Sequence, residues 1–208
     1  PLVEIPGVIG VGFSNTFRSI GIVIILGALI GALLEKTGAA LKMADVVVKL
    51  VGKNKPELAM LIMGWIVSIP VFCDSGFVIL NPIRKALVKR TMRSSVASTV
   101  ALSMGLYISH CFIPPTPGPI AAANTLYEGA GMEVNLLMVI VFGAICSILP
   151  LIVAYAFSLY IGKKVQSREE LGEDDAEEIV QTYDELVASY GKLPSGFASF
   201  SPIVVPIL

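Results

Sequence analysis

SHCFIPPTPGPIAAAN, residues 109–124, decides how this chain folds, because it sets polar groups and broken backbone inside an uncharged region. No Lys, Arg, Asp or Glu occurs from residue 94 to 127, yet the middle of that region holds Pro114, Pro115, Pro117, Gly118, Pro119 and the only histidine, His110. A helix in lipid must bond every N–H and C=O internally, so a break at that depth survives only where protein or a water-filled cavity encloses it. A second interruption lies upstream at IPVFCDSGF, residues 69–77, where Pro70 and Asp74 split another apolar run.

Composition places both breaks in a membrane chain. Of 208 residues, 55% are hydrophobic and 15% charged, and the mean hydropathy of +0.81 exceeds that of ordinary soluble domains. The charges are segregated: lysines cluster between Lys36 and Lys55, Arg and Lys between Arg84 and Arg93, and acids between Glu169 and Glu185. The basic clusters flank apolar segments, so nucleic acid is not an expected partner; lipid is. Cys73, Cys111 and Cys146 lie in apolar runs and are odd in number, which argues against a disulfide framework and suits small packing residues. No CxxC or HExxH spacing marks a metal site, and no cofactor is expected.

Residues 1–15 carry Pro6, Gly7, Gly10 and Gly12 and suit a loop or the remnant of an earlier helix; residues 16–35 suit one crossing. Gly27 and Gly31 in that crossing have the spacing of close helix contacts. Residues 38–51 read as an amphipathic helix at the interface, with Lys42 and Lys49 toward the cytoplasm. Residues 57–90 then pose a choice between one long crossing and a hairpin that enters, turns at VFCDSG and returns. Basic residues on both sides favour the re-entrant hairpin. A broken helix over 94–128, an acidic outer loop, and a span over 136–162 ending at Lys163-Lys164 follow, all within a transmembrane unit of residues 1–165. Residues 166–195 form a soluble acidic cytoplasmic loop, and 196–208 start a further apolar segment, so the chain reads as an internal piece of a longer membrane protein. The expected class is all-α and integral to the membrane.

A carboxylate in the membrane interior costs about 2.5–3.5 kcal/mol on insertion scales, so Asp74 needs a partner or a purpose. Asp74 or Ser75 suits the N-cap of the returning arm, and Thr116 or Gly118 the cap of the helix after the proline break, leaving the N–H groups of Ile120, Ala121 and Ala122 unpaired. Two helix N-termini aimed at one place bind anions, and broken helices of this kind build the mid-membrane sites of secondary transporters. The expected substrate-binding residues are Cys73, Asp74, Ser75, Gly76, Ser109, His110, Thr116, Pro117, Gly118 and Asn124, with Asn81 as further polar lining. Asp74 and His110 are the candidates for carrying a coupled proton. The bland alternative is that Asp74 only caps its helix and His110 only bonds a carbonyl.

Three stretches carry a family resemblance: Gly76-Phe77-Val78-Ile79-Leu80 after the acidic turn; Ser109-His110 followed by Pro114-Pro115-Thr116-Pro117-Gly118-Pro119; and Gly27, Gly31, Leu34-Glu35 with Gly38-Ala39-Ala40. Over residues 10–165 the chain resembles the gluconate permease family of proton symporters, within the ion-transporter superfamily. The resemblance implies inverted repeats, each with a re-entrant hairpin and a broken helix, of which this chain is one. It also implies import of gluconate or a related small carboxylate with protons across the bacterial inner membrane. Which acid is carried, whether sodium replaces the proton, and whether copies form a homo-oligomer stay open at this point. A membrane enzyme built on Asp74 and His110 lacks a second intramembrane acid or a zinc motif; a non-transporting scaffold subunit is the other alternative.

Overall fold

The computed structural model describes residues 5–52, 55–167, 185, 188, 191 and 193–204, and within these every regular element is a helix. In chain order they are α1 (Ile5–Lys36), α2 (Ala39–Val51), α3 (Pro56–Val67), α4 (Cys73–Thr91), α5 (Ser95–Phe112), α6 (Pro117–Gly129), α7 (Leu136–Lys164) and α8 (Gly196–Val204). The acidic stretch expected as a soluble loop over 166–195 lies for the most part outside the described residues.

Local chemistry sets the boundaries. Gly38, at φ 70°, takes a left-handed turn between α1 and α2 that a side chain would disfavour. Pro56 opens α3 at a position where its missing N–H costs nothing. Ser94 caps α5 by accepting from the N–H of Ala97 at 3.2 Å, and Asn135 caps α7 by accepting from that of Met138 at 3.1 Å.

α1 begins at Ile5, earlier than the expected start near Thr16, and its arms Ile5–Arg18 and Ile20–Lys36 meet at 62°. The glycines at 7, 10 and 12 are therefore helical. In lipid a helix is the one local structure that satisfies its own backbone, which outweighs glycine's poor propensity. α2 also departs from expectation. Its apolar side is covered by protein: Leu41, Met43, Ala44, Val47 and Val48 are buried, with α2 packed on α3 and α8. Asp45 is buried too, and accepts from Lys42 at 3.2 Å and Lys49 at 2.8 Å.

The core is shared by α2, α3, α4 and α5, with Met60, Met63, Leu80, Ile83, Leu102 and Leu106 almost fully enclosed. α3 and α5 approach closely. Gly64 on α3 lies against the backbone of Leu102 and Leu106, and Gly105 on α5 against that of Leu61 and Trp65. Without side chains at these points the two backbones touch, as helices do in lipid, where packing rather than water exclusion drives association. α7 runs antiparallel to α5, since Gly143 meets Phe112 and Gly162 meets Ala97 and Ser94. It is also tied to α3, where Trp65 Nε1 donates to Ser147 Oγ at 3.0 Å. Replacing Trp65 by Phe keeps the ring and loses this bond, and is expected to cost about 1 kcal/mol in thermal unfolding of the detergent-solubilised protein.

Two stretches are long and apolar enough to cross a membrane: α5 with α6, taken together over Ser95–Gly129, and α7. The bent α1 makes a third if its arms count as one span. At 29 residues, α7 is ~44 Å long at 1.5 Å per residue, more than the ~30 Å hydrocarbon layer. Only 6% of its most apolar window is buried within the chain, so lipid or further protein must cover it. The chain is a membrane protein, all-helical in its described part.

Candidate functional site

The segment expected to be a hairpin consists of α3, a turn over residues 68–72, and α4. Pro70 ends α3, having no N–H to donate and restricting the residue before it. α3 and α4 pack on each other, and both pack on α5. The turn meets the C-terminal end of α5 through Phe72, whose ring stands edge-on to that of His110 with centroids 6.0 Å apart. One turn into α4, Gly76 is buried against Leu106 of α5. α1 covers the turn from another side, with Gly27 facing Phe72 and Gly31 facing Pro70 and Val71. The two interruptions of the sequence thus come together in space.

At the proline break the backbone arithmetic is strict. The carbonyls of His110 and Cys111 would each accept from the N–H four residues on, but those positions are Pro114 and Pro115. Thr116 supplies the missing donor: its Oγ1 lies 2.7 Å from His110 O and 2.8 Å from Ile113 O, so its single proton serves both carbonyls. The main chain closes the turn before it, where the Ile113 N–H donates to Ser109 O at 2.9 Å.

This reverses the expected part of Thr116. It occupies the N-cap position of α6 but makes no side-chain cap there; the residue is 3% exposed, and its hydroxyl closes the end of α5 instead. α6 also begins at Pro117, so Ala121 and Ala122 fall beyond the first, unpaired turn. Pro117 and Pro119 have no N–H, which leaves Gly118 as the one donor in the first three positions of α6. α4 is better supplied. Its N-cap is Phe72 rather than Asp74 or Ser75, and the N–H groups of Cys73, Asp74 and Ser75 occupy its first turn.

Asp74 and Ser75 are exposed, and Cys73 is half-buried with its Sγ 3.6 Å from Asp74 Oδ1. Pro117 and Asn124 are half-buried, and Gly118 is exposed. Ser109 is fully buried and His110 half-buried, and neither Ser109 Oγ nor His110 Nδ1 has a hydrogen-bond partner among the described residues. Sequence reasoning missed Ser68, which closes α3, is fully buried, and has an equally unpartnered Oγ. A hydroxyl at the end of an apolar helix, just before a proline, was the signal available for it.

Electrostatically the meeting place has two characters. α3 and α5 end there, presenting the negative ends of their dipoles, while α4 and α6 begin there, presenting positive ends. An anionic group is therefore best placed over the first turn of α4, whose N–H groups and dipole favour negative charge. Asp74, on that same turn, already supplies one negative charge and opposes a second when ionised.

A family model described as GntP family permease matches residues 1–208. Among the similar proteins is one named "Uncharacterized permease" of Haemophilus influenzae, 40% identical over 200 residues that cover 95% of this chain and 39% of the relative. The "Gnt-II system L-idonate transporter" of Escherichia coli is 32% identical over 69% of this chain and 31% of its own length. The "Gluconate permease" of Bacillus subtilis is 28% identical over 79% of this chain and 36% of its own. The chain thus spans less than half the length of each of these relatives. No solved structure matches it. On the family model and the helical breaks together, this chain belongs to the GntP permease family.

Proposed function

We propose that this chain is one transport repeat of a secondary active transporter that imports gluconate or a related small sugar acid with protons across the bacterial inner membrane. The observation that carries the reading is the junction of the two breaks, where Phe72 of the hairpin turn meets His110 at the end of α5. Relatives named for gluconate and L-idonate support the substrate class. α3 is apolar but too short to cross alone, at 12 residues, which supports α3–turn–α4 as a re-entrant hairpin in one of two inverted repeats.

In this reading the substrate carboxylate sits over the first turn of α4, held by main-chain donors and the helix dipole. A proton on Asp74 removes the like charge beside it. Anion binding and proton binding then favour one another, and that reciprocity is the coupling. His110 is the second candidate for carrying the proton. The protein acts as a permease and not as an enzyme.

Replacing Asp74 by Asn in the intact transporter is expected to abolish accumulation driven by a pH gradient while counterflow exchange of labelled substrate continues. The check is uptake into proteoliposomes with gluconate and other small carboxylates, under pH and sodium gradients applied separately. Unchanged proton-driven accumulation in Asp74→Asn removes Asp74 from the mechanism; accumulation that follows sodium alone replaces the proton as coupling ion.

A further inference from the structure

On α3, Leu61, Gly64, Trp65 and Ser68 form one stripe at helical spacing, and on α5, Leu102, Gly105, Leu106 and Ser109 form another. The stripes face each other, since Gly64 meets Leu102 and Leu106 while Gly105 meets Leu61 and Trp65. The helices run parallel, because both end at the junction of Phe72 with His110. Ser68 and Ser109 are therefore the last members of two facing stripes, one turn beyond the glycine contacts.

Both are 0% exposed. Hydroxyls elsewhere in the bundle return their proton to a carbonyl of the preceding turn: Ser98 to Ser94 O at 3.0 Å, Ser147 to Ala144 O at 2.7 Å, Ser158 to Tyr155 O at 2.8 Å. Ser68 and Ser109 do not, and with His110 Nδ1 they are three buried polar atoms without a partner among the described residues, all three near the C-terminal ends of α3 and α5. A buried polar atom left unpaired costs about 1–3 kcal/mol, and an ordered water needs 2–4 such partners.

We propose that Ser68, Ser109 and His110 enclose a site for ordered water at the α3–α5 junction, along which the coupled proton reaches the His110 imidazole. The inference rests on the proton-coupled reading above. In the transfer a hydronium in the site gives its proton to Nδ1, leaving water and an imidazolium, and the imidazolium later returns the proton to water. The serine hydroxyls each accept one hydrogen bond and donate one, and stay neutral.

The titratable side chains around this end of α5 are Tyr107 and Cys111 on α5 itself, Cys73 and Asp74 on α4, and the exposed Cys146 on α7, one turn from Gly143. α6 has no titratable residue before Tyr127. The charged residues of α3 and α7, namely Glu57, Lys163 and Lys164, stand at the opposite end of those helices from the junction, and Arg84 binds Ser95 at the other end of α5. Asp74 is thus the nearest carboxyl group in sequence to the turn that His110 touches.

The test is Ser68→Ala in the intact transporter, in proteoliposomes loaded with a pH-sensitive dye. Substrate-driven acidification is expected to slow by about tenfold or more, in keeping with the loss of a positioned proton-transfer partner, while counterflow stays at the parent rate. Ser109→Ala is expected to slow acidification likewise. Parent-rate acidification in both variants, with His110→Gln blocking it, overturns the water path and leaves proton coupling through His110 standing. Acidification that survives His110→Gln as well defeats the use of His110 itself. Loss of counterflow in Ser68→Ala, or recovery of transport by added sodium, also overturns the proposal, the first showing a structural role and the second a cation in the site.

Discussion

Gly105→Ala is expected to destabilise the folded protein by about 3 kcal/mol or more, the upper end of the range for overpacked sites. A Cβ at Gly105 would overlap the carbonyl of Leu61 and lie 3.0 Å from the Trp65 nitrogen. These are main-chain atoms of α3, so no rotamer change relieves the overlap and the helices themselves must part. The parting would open the interface where Gly64 meets Leu102 and Leu106. Thermal unfolding in detergent and the level of inserted protein are the measurements. Gly27→Ala is the control: its Cβ would sit 3.7 Å from Phe72 Cζ, an ordinary contact, and its effect is expected within about 0.5 kcal/mol. Equal midpoints for Gly105→Ala and the parent would show that α3 and α5 do not touch there.

Thr116→Val is the second large effect. It keeps the shape of the side chain and removes the donor that serves His110 O and Ile113 O. Pro114 and Pro117, the residues four positions on from these carbonyls, offer no N–H to replace it, so the change is expected to cost about 1–3 kcal/mol for each carbonyl left buried and unpaired. The end of α5 would shift, carrying His110 with it. Both accumulation and counterflow are expected to fall, unlike Asp74→Asn, which spares counterflow. Thr116→Ser retains the hydroxyl and should recover most of the loss. Counterflow at the parent rate in Thr116→Val would mean that the break holds its form without this hydroxyl.

How much was legible in the sequence varies by feature. The uncharged stretch around His110 and the prolines marked the break, because both signals are local: a proline lacks its donor wherever it stands. The tie from Thr116 back to His110 could be posed from sequence, yet an N-cap hydroxyl can equally serve the helix ahead of it. Only the fold showed which carbonyls were in reach. Residues 1–15 read as a loop or the remnant of an earlier helix because glycine is a poor helix former in water; from Ile5 on they are helical. α2 looked like an interfacial helix because its lysines mark a polar stripe; that both reach a buried Asp45 depends on what covers the other face.

Close packing was the least legible. Gly27 and Gly31 have the spacing associated with tight contact, whereas Gly64, Gly105 and Gly143, each separated from the next by a long sequence interval, make it. Glycine spacing reports where two helices can approach. Which neighbour arrives is a tertiary fact.

At Gly31 a methyl group would be received at 3.7 Å by the Pro70 carbonyl and 3.8 Å by Val71 Cα, much as Gly27 would receive one from Phe72. The tip of the hairpin accordingly rests on α1 with clearance of one carbon atom, where α3 and α5 have none. Alanine at Gly27 or Gly31 would meet only ordinary van der Waals contacts, so this seat has room for a methyl group that the α3–α5 contact has not.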